Sequence, residues 1–160
     1  MQIVVAAVGR LKAGPERELA GRYLDRAGKA GPRVGLAGFQ VREVAEGRGG
    51  SVAVRRAEEA AALAGLLPTG CATVVLDERG TPLSSRDFAD FLARERDGGR
   101  GAAAILIGGP DGHDPAVREG AALVLSFGAM TWPHQLVRVM LAEQLYRAVT
   151  LLSGHPYHRD

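Results

Sequence analysis

The groups best able to do chemistry crowd the end of this chain. From Met130 onward it carries three of its four histidines, its only tryptophan and two of its three tyrosines. The two dense stretches are Met130-Thr131-Trp132-Pro133-His134-Gln135-Leu136-Val137-Arg138 and His155-Pro156-Tyr157-His158-Arg159-Asp160. An imidazole can take up or release a proton near neutral pH. A guanidinium pairs with phosphate or a developing oxyanion. Tyrosine and histidine rings stack on nucleic-acid bases. Chain ends usually fray and carry little chemistry, so a terminus this rich suggests one that completes a site. The His155 to His158 spacing is too short for a zinc site, and no cysteine or acidic pair accompanies it.

Two further segments point the same way. Gly108-Gly109-Pro110-Asp111-Gly112 follows an apolar run and precedes a helix start. Adjacent glycines let a backbone approach a ligand closely. The loop lacks the six-residue dinucleotide fingerprint and the Lys-Ser/Thr of a phosphate loop, so alone it reads equally as a tight turn. Leu125 to Pro133 is apolar for a loop. It is either a core-packing segment or a pocket wall for an uncharged aromatic group such as adenine, held by backbone N–H and C=O. His134 can be a helix-start residue or a catalyst. Arg138 stands out on otherwise apolar first turns.

The elements that position these residues follow from periodicity. Residues 2–8, 73–76, 103–107 and 123–127 are short apolar or β-branched runs, the mark of buried parallel strands. A further strand is expected over 33–45. Helices are expected from Pro15 to about Lys29, from a Ser51 cap to about Leu66, and from a Ser84–Asp87 capping box to about Arg96. A short one starts at Asp114-Pro115, and the longest runs from His134 to about Leu152. Residues 77–82 read as a turn-rich loop. The last helix is apolar on more than one side, which calls for burial on more than one side and suggests a partner subunit. Strands alternating with helices predict an α/β fold with a mainly parallel sheet, one domain over 1–160. Such sheets bind ligands at their strands' carboxyl ends, here after Leu76, Ile107 and Phe127.

Bulk properties bound the function more loosely. The 160 residues carry 20 Lys and Arg against 18 Asp and Glu, a formal charge of +2. That balance neither demands nor excludes nucleic acid. One cysteine, Cys71, cannot form an intramolecular disulfide and favours a reducing compartment. No apolar run is long enough to span a membrane, and the start has no signal-peptide layout. A cytoplasmic protein is the expectation.

Taken in order, several motifs resemble one family. They are Gly108-Gly109-x-x-Gly112, Leu125-Ser126-Phe127 with Met130-Thr131, Pro133-His134-Gln135-x-x-Arg138, Glu143-Gln144-x-Tyr146-Arg147-Ala148 and Tyr157-His158-Arg159. With Ala7-Val8-Gly9-Arg10-Leu11-Lys12 at the start, the set is similar to the bacterial ribosomal large subunit methyltransferase H family, the rRNA pseudouridine-N3 methyltransferases. The match spans the chain and is weakest over 30–68. It implies a SPOUT (α/β-knot) methyltransferase fold with a C-terminal trefoil knot, S-adenosylmethionine as methyl donor, and a homodimer. The implied substrate is a pseudouridine of large-subunit rRNA in the assembled ribosome. By position, cofactor contacts fall on Leu76, Gly108, Phe127, Gly128, Ala129, Met130, Thr131 and Trp132. Relatives often carry Ser or Lys where this chain has Gly128-Ala129. Pseudouridine N3 is protonated at neutral pH, so a base or an anion-stabilising group is needed. His134, Tyr157 and His158 are candidates to take the proton, and Arg138 and Arg159 to hold phosphate or oxyanion. The alternatives are a non-catalytic ribosome-binding or assembly factor keeping the fold, and a small nucleotide-binding protein. The intact 108 and 127–132 loops weigh against the first and the missing phosphate-loop signature against the second.

Overall fold

The computed structural model describes residues 1–157; His158, Arg159 and Asp160, with the roles expected of His158 and Arg159, lie outside the described residues. The five strands are β1 (Gln2–Val8), β2 (Ala37–Val44), β3 (Ala72–Pro82), β4 (Ala102–Ile107) and β5 (Leu123–Ser126). They form one sheet in the order β2-β1-β4-β3-β5, and every pairing is parallel. The α/β, parallel-sheet expectation therefore holds.

Helices cover both faces, which explains the uninterrupted apolar runs. Ile3, Val5 and Ala7 of β1 point to the face covered by α1 (Pro15–Ala30), α3 (Ser85–Asp97) and α5 (His134–Leu152). Val4, Ala6 and Val8 point to the other face, toward Leu63 of α2 (Val52–Ala64) and Val117 of α4 (Pro115–Glu119). α5 packs against both α1 and α3, and it buries Leu141, Leu145, Tyr146, Ala148 and Val149. The helix starts follow the expected chemistry. Ser51 Oγ accepts from the Val54 N–H, Ser84 and Asp87 form a capping box, and Asp114 caps α4.

The structure departs from the sequence reading at three strands. The strand expected over 33–45 begins only at Ala37, because Gly31–Val34 winds into a 3₁₀ turn. Pro32 sets the φ of that turn, and Gly35, with φ 70°, closes it in the left-handed region. The supposed loop over 77–82 belongs to β3. Leu76 and Thr81 both pair with Leu125, so residues 77–80 are extruded as a bulge and the strand resumes beside β5. The apolar pattern stops at Leu76 because the bulge faces a cleft rather than the core. β5 also ends one residue early, at Ser126.

The bulge is seated by Gly80. A Cβ there would stand 2.7 Å from both the carbonyl carbon of Leu125 and the carbonyl oxygen of Val124. Those are backbone atoms of a paired strand and cannot swing aside. Gly80→Ala is therefore expected to cost about 1–3 kcal/mol by overpacking, read as a lower denaturant midpoint; an unchanged midpoint would show that the bulge does not rest on β5.

Candidate active site

The carboxyl ends of β3, β4 and β5 open into a cavity of about 260 Å³. Leu76 and the 77–79 bulge form one wall, residues 108–113 a second, and residues 125–128 with Met130, Thr131 and Trp132 a third. His134 and Val137 of α5, Arg56 of α2 and Arg118 of α4 complete the lining. Of the eight positions expected at a cofactor site, Leu76, Gly108, Phe127, Gly128, Met130, Thr131 and Trp132 meet here. Ala129 is exposed and does not line the cavity. Met130 is 72% and Trp132 39% exposed, so two large apolar side chains stand at this wall without full cover.

The loops are held from behind. Arg55 Nε donates to Asp111 at 2.6 Å, and Arg56 Nε donates to the Asp111 carbonyl at 2.7 Å; together they fasten the 108–112 loop to α2. Glu59 accepts from the Gly47 N–H at 2.9 Å and lies under the same loop. A Cβ on Gly109 would stand 2.7 Å from the Glu59 Oε2 atom, and one on Gly108 would stand 3.1 Å from the His113 ring. The two glycines are needed because a carboxylate and an imidazole fill the space beneath them. On the opposite wall the Gly128 N–H donates to Ser126 Oγ at 3.1 Å. Gly128 has φ 110°, a backbone state that a side chain would strain.

The wall is electrically balanced. Asp77, Glu78 and Asp111 face Arg56, Arg79 and Arg118. Arg118 donates to Asp77 at 3.1 Å. Burial pushes the Asp77 carboxyl up, but the Arg79 N–H and the Arg118 guanidinium outweigh it and hold the group below its ordinary range. A neutral cleft with an apolar wall suits an uncharged ring better than a polyphosphate.

The sequence reading missed His113. It lies directly after the glycine loop, is only 4% exposed, lines the cavity, and has an Nε2 atom without a hydrogen-bond partner. Burial lowers its pKa; nearby Asp77 and the Leu106 and Leu76 carbonyls pull it upward, but burial prevails. The available signal was its place: the one histidine outside the C-terminal stretch ends the Gly108-Gly109-x-x-Gly112 loop.

Two of the expected catalytic residues do other work in this subunit. Arg138 is buried and is not open to phosphate. Its guanidinium pairs with Glu43 and donates to the carbonyls of Val8, at 3.0 Å, and Gly9. Glu43 also accepts from the Leu11 N–H at 2.9 Å. Arg138 thus pins α5 to the ends of β1 and β2. Tyr157 does not line the cavity. Its ring packs edge-on to Tyr146 at 4.8 Å, and its hydroxyl donates to Glu143 at 3.3 Å. Burial and neighbouring Tyr23 and Glu143 push its pKa up to about 12, so it is a proton donor at neutral pH and a poor base. His134 stands at the cavity beside Trp132.

Arg138→Met should cost about 3 kcal/mol, since it leaves Glu43 and two carbonyls without their cation; a chemical denaturation curve matching wild type would refute the pin. His113 gives a pH signature. Its folded pKa lies below the unfolded value of 6.5, so the unfolded chain takes up the proton first. Stability is full above pH 6.5, falls as pH drops below it, and levels once the folded pKa is passed. His113→Gln should remove that component from a pH series of unfolding curves; an identical pH profile would mean the ring is not buried neutral.

Comparison with known proteins identifies the family. The family model described as "Predicted SPOUT methyltransferase" matches residues 1–158. The ribosomal RNA large subunit methyltransferase H of Mesorhizobium japonicum is 59% identical over 159 residues, 99% of each chain. That of Brucella anthropi is 55% identical over 160 residues, the whole of both. Among solved structures, a probable methylase family protein from Haemophilus influenzae superposes with a TM-score of 0.48 at 14% identity, covering 99% of this chain and 70% of that one, a likeness too loose to add weight. Full-length matches at this identity place the chain in the SPOUT methyltransferase family, among the ribosomal RNA large subunit methyltransferases H.

Proposed function

We propose that the protein transfers the methyl group of S-adenosylmethionine to N3 of a pseudouridine in large-subunit rRNA, acting as a homodimer on the assembled ribosome. The observation that carries this reading is the cavity where three strand-end loops meet in a chain of methyltransferase family. The residues present fit such a cofactor. The wall from Phe127 to Trp132 is apolar enough for an adenine ring, and the opposing charges cancel. When bound, the cofactor supplies a methyl group on a sulfonium centre that is already electrophilic.

The protein's own part is placement and proton handling. Leu76, Gly108 and the 127–132 wall hold the cofactor. His134, at the cavity and with an imidazole available, is the described residue best placed to take the N3 proton. Tyr157, which keeps its proton, serves as a donor or stacking surface instead. Arg138 is a positioning residue that fixes the start of α5 and hence His134. His158 and Arg159 remain the proposed RNA-facing groups of the tail.

The homodimer is supported by uncovered apolar surface. Met130, Trp132 and Leu136 are all exposed around the start of α5. Tyr157 docks on Tyr146 and Arg26 of its own subunit, away from its own cavity. We assign the residues that follow it to the partner subunit's site. A knotted C-terminal segment is part of the same proposal.

Gly108→Arg should abolish calorimetric binding of S-adenosylmethionine while the sedimentation profile stays dimeric; unchanged affinity would mean that the site is misplaced. Deleting residues 157–160 should leave cofactor binding intact and reduce methyl transfer to ribosomes from a strain lacking the enzyme at least tenfold. Normal transfer by the truncated protein would remove the tail from the mechanism.

A further inference from the structure

The charged groups that line the cavity divide into two sets. The inner set is engaged. Arg118 pairs with Asp77, Arg55 holds Asp111, and Arg56 donates to the Asp111 carbonyl. The outer set is Glu78 and Arg79, neighbours on the β3 bulge. Both line the cavity and both are exposed. Among the described residues, neither side chain has a hydrogen-bond or ion-pair partner. Their backbone, by contrast, is fixed. The Arg79 N–H donates to Asp77 Oδ1 at 2.9 Å, the Glu78 carbonyl accepts from Ser126 Oγ at 3.3 Å, and Gly80 seats the bulge on β5. Lone exposed charges are ordinary on a protein surface. What sets this pair apart is its place: one charge of each sign, on adjacent residues of a held backbone, at the rim of a ligand cavity.

We propose that Glu78 and Arg79 form the subsite for the amino-acid end of S-adenosylmethionine, Arg79 receiving its carboxylate and Glu78 its ammonium. The inference rests on the cofactor reading above and adds two residues and a ligand group to it. The two ends of the cofactor have opposite needs. The adenine is uncharged and suits the apolar wall from Phe127 to Trp132. The amino acid is a zwitterion. Burying either of its charges deep in the cleft would cost hydration with no free counter-charge to replace it, because the inner ions are already engaged. At the bulge each charge keeps part of its water and meets its opposite. The planar fork of arginine matches a carboxylate with two parallel hydrogen bonds. An RNA phosphate is the rival partner for Arg79, but it carries negative charge alone, and the neighbouring Glu78 would repel it. Both signs on one bulge fit a ligand that carries both signs. Because the backbone is already held, binding has only the two side chains to order.

The test is calorimetric binding of two ligands that separate the ends. S-adenosylhomocysteine carries the amino acid; methylthioadenosine carries the same adenosine thioether without it. Arg79→Ala should weaken S-adenosylhomocysteine about three- to tenfold, the worth of an exposed charge-assisted contact. It should leave methylthioadenosine unchanged, so the second ligand reports that the fold and the adenosine site are intact. Arg79→Lys, which keeps the charge and loses the fork, should recover part of the loss. Glu78→Gln should likewise weaken S-adenosylhomocysteine alone. Wild-type affinity for S-adenosylhomocysteine in both Arg79→Ala and Glu78→Gln overturns the inference while leaving the cofactor site standing. An equal loss of both ligands also overturns it, since the bulge would then be shaping the adenosine site. Unchanged binding of both ligands with a raised KM for ribosomes would make Arg79 an RNA contact and overturn it too. Failure of wild type to bind either ligand overturns the cofactor reading and this inference together.

Discussion

The guanidinium of Arg138 holds the molecule's two ends in register. It lies 130 residues from Val8 in sequence, yet it donates to that residue's carbonyl and to Gly9, and pairs with Glu43. A parallel sheet leaves unpaired carbonyls at the carboxyl ends of its strands, and something must satisfy them. Here the first turns of the last helix do so. The consequence reaches the cavity. Fixing Arg138 fixes the start of α5, and with it the apolar wall from Phe127 to Trp132 that runs into the helix. A cation that looked available for phosphate is spent on architecture.

The same economy recurs behind the glycine loop. α2 contributes no backbone to the sheet, but its Arg55, Arg56 and Glu59 hold the 108–112 loop from below. His113 fills the remaining space. The loop therefore meets the cavity as a shaped surface, supported by side chains rather than free to collapse into it. Across the cleft, the bulge of β3 brings Asp77 and Arg79 to the rim without ending the strand, which resumes beside β5 at Thr81. Asp77, on that rim, is paired in place with Arg118.

Much of this was legible in the residues. The continuous apolar runs of β1 and β4 announced strands buried on both faces, and the caps at Ser51, Ser84 and Asp114 marked three helix starts correctly. The three strand-end loops converge on one cavity because carboxyl ends of parallel strands lie on one edge. The misses have a common cause: they depend on partners distant in sequence. Residues 77–80 carry turn-like polar residues, and nothing local says that Thr81 will rejoin β5. Arg138 and Glu43 are 95 positions apart, so the arginine's burial could not be read from its helix. His113 was passed over because a lone histidine after a turn is ordinary until its burial is known. Tyr157 looked like a possible base; the neighbours that raise its pKa come from α1 and α5.

The proposed seat of the methyl donor is the cleft at the ends of β3, β4 and β5. A crystal structure of the protein with S-adenosylhomocysteine tests it most directly. Density for the ligand is expected between Leu76, Gly108 and the Phe127–Trp132 wall, with the adenine against the apolar side. Ligand density seated elsewhere on the molecule, with that cleft empty, would contradict it.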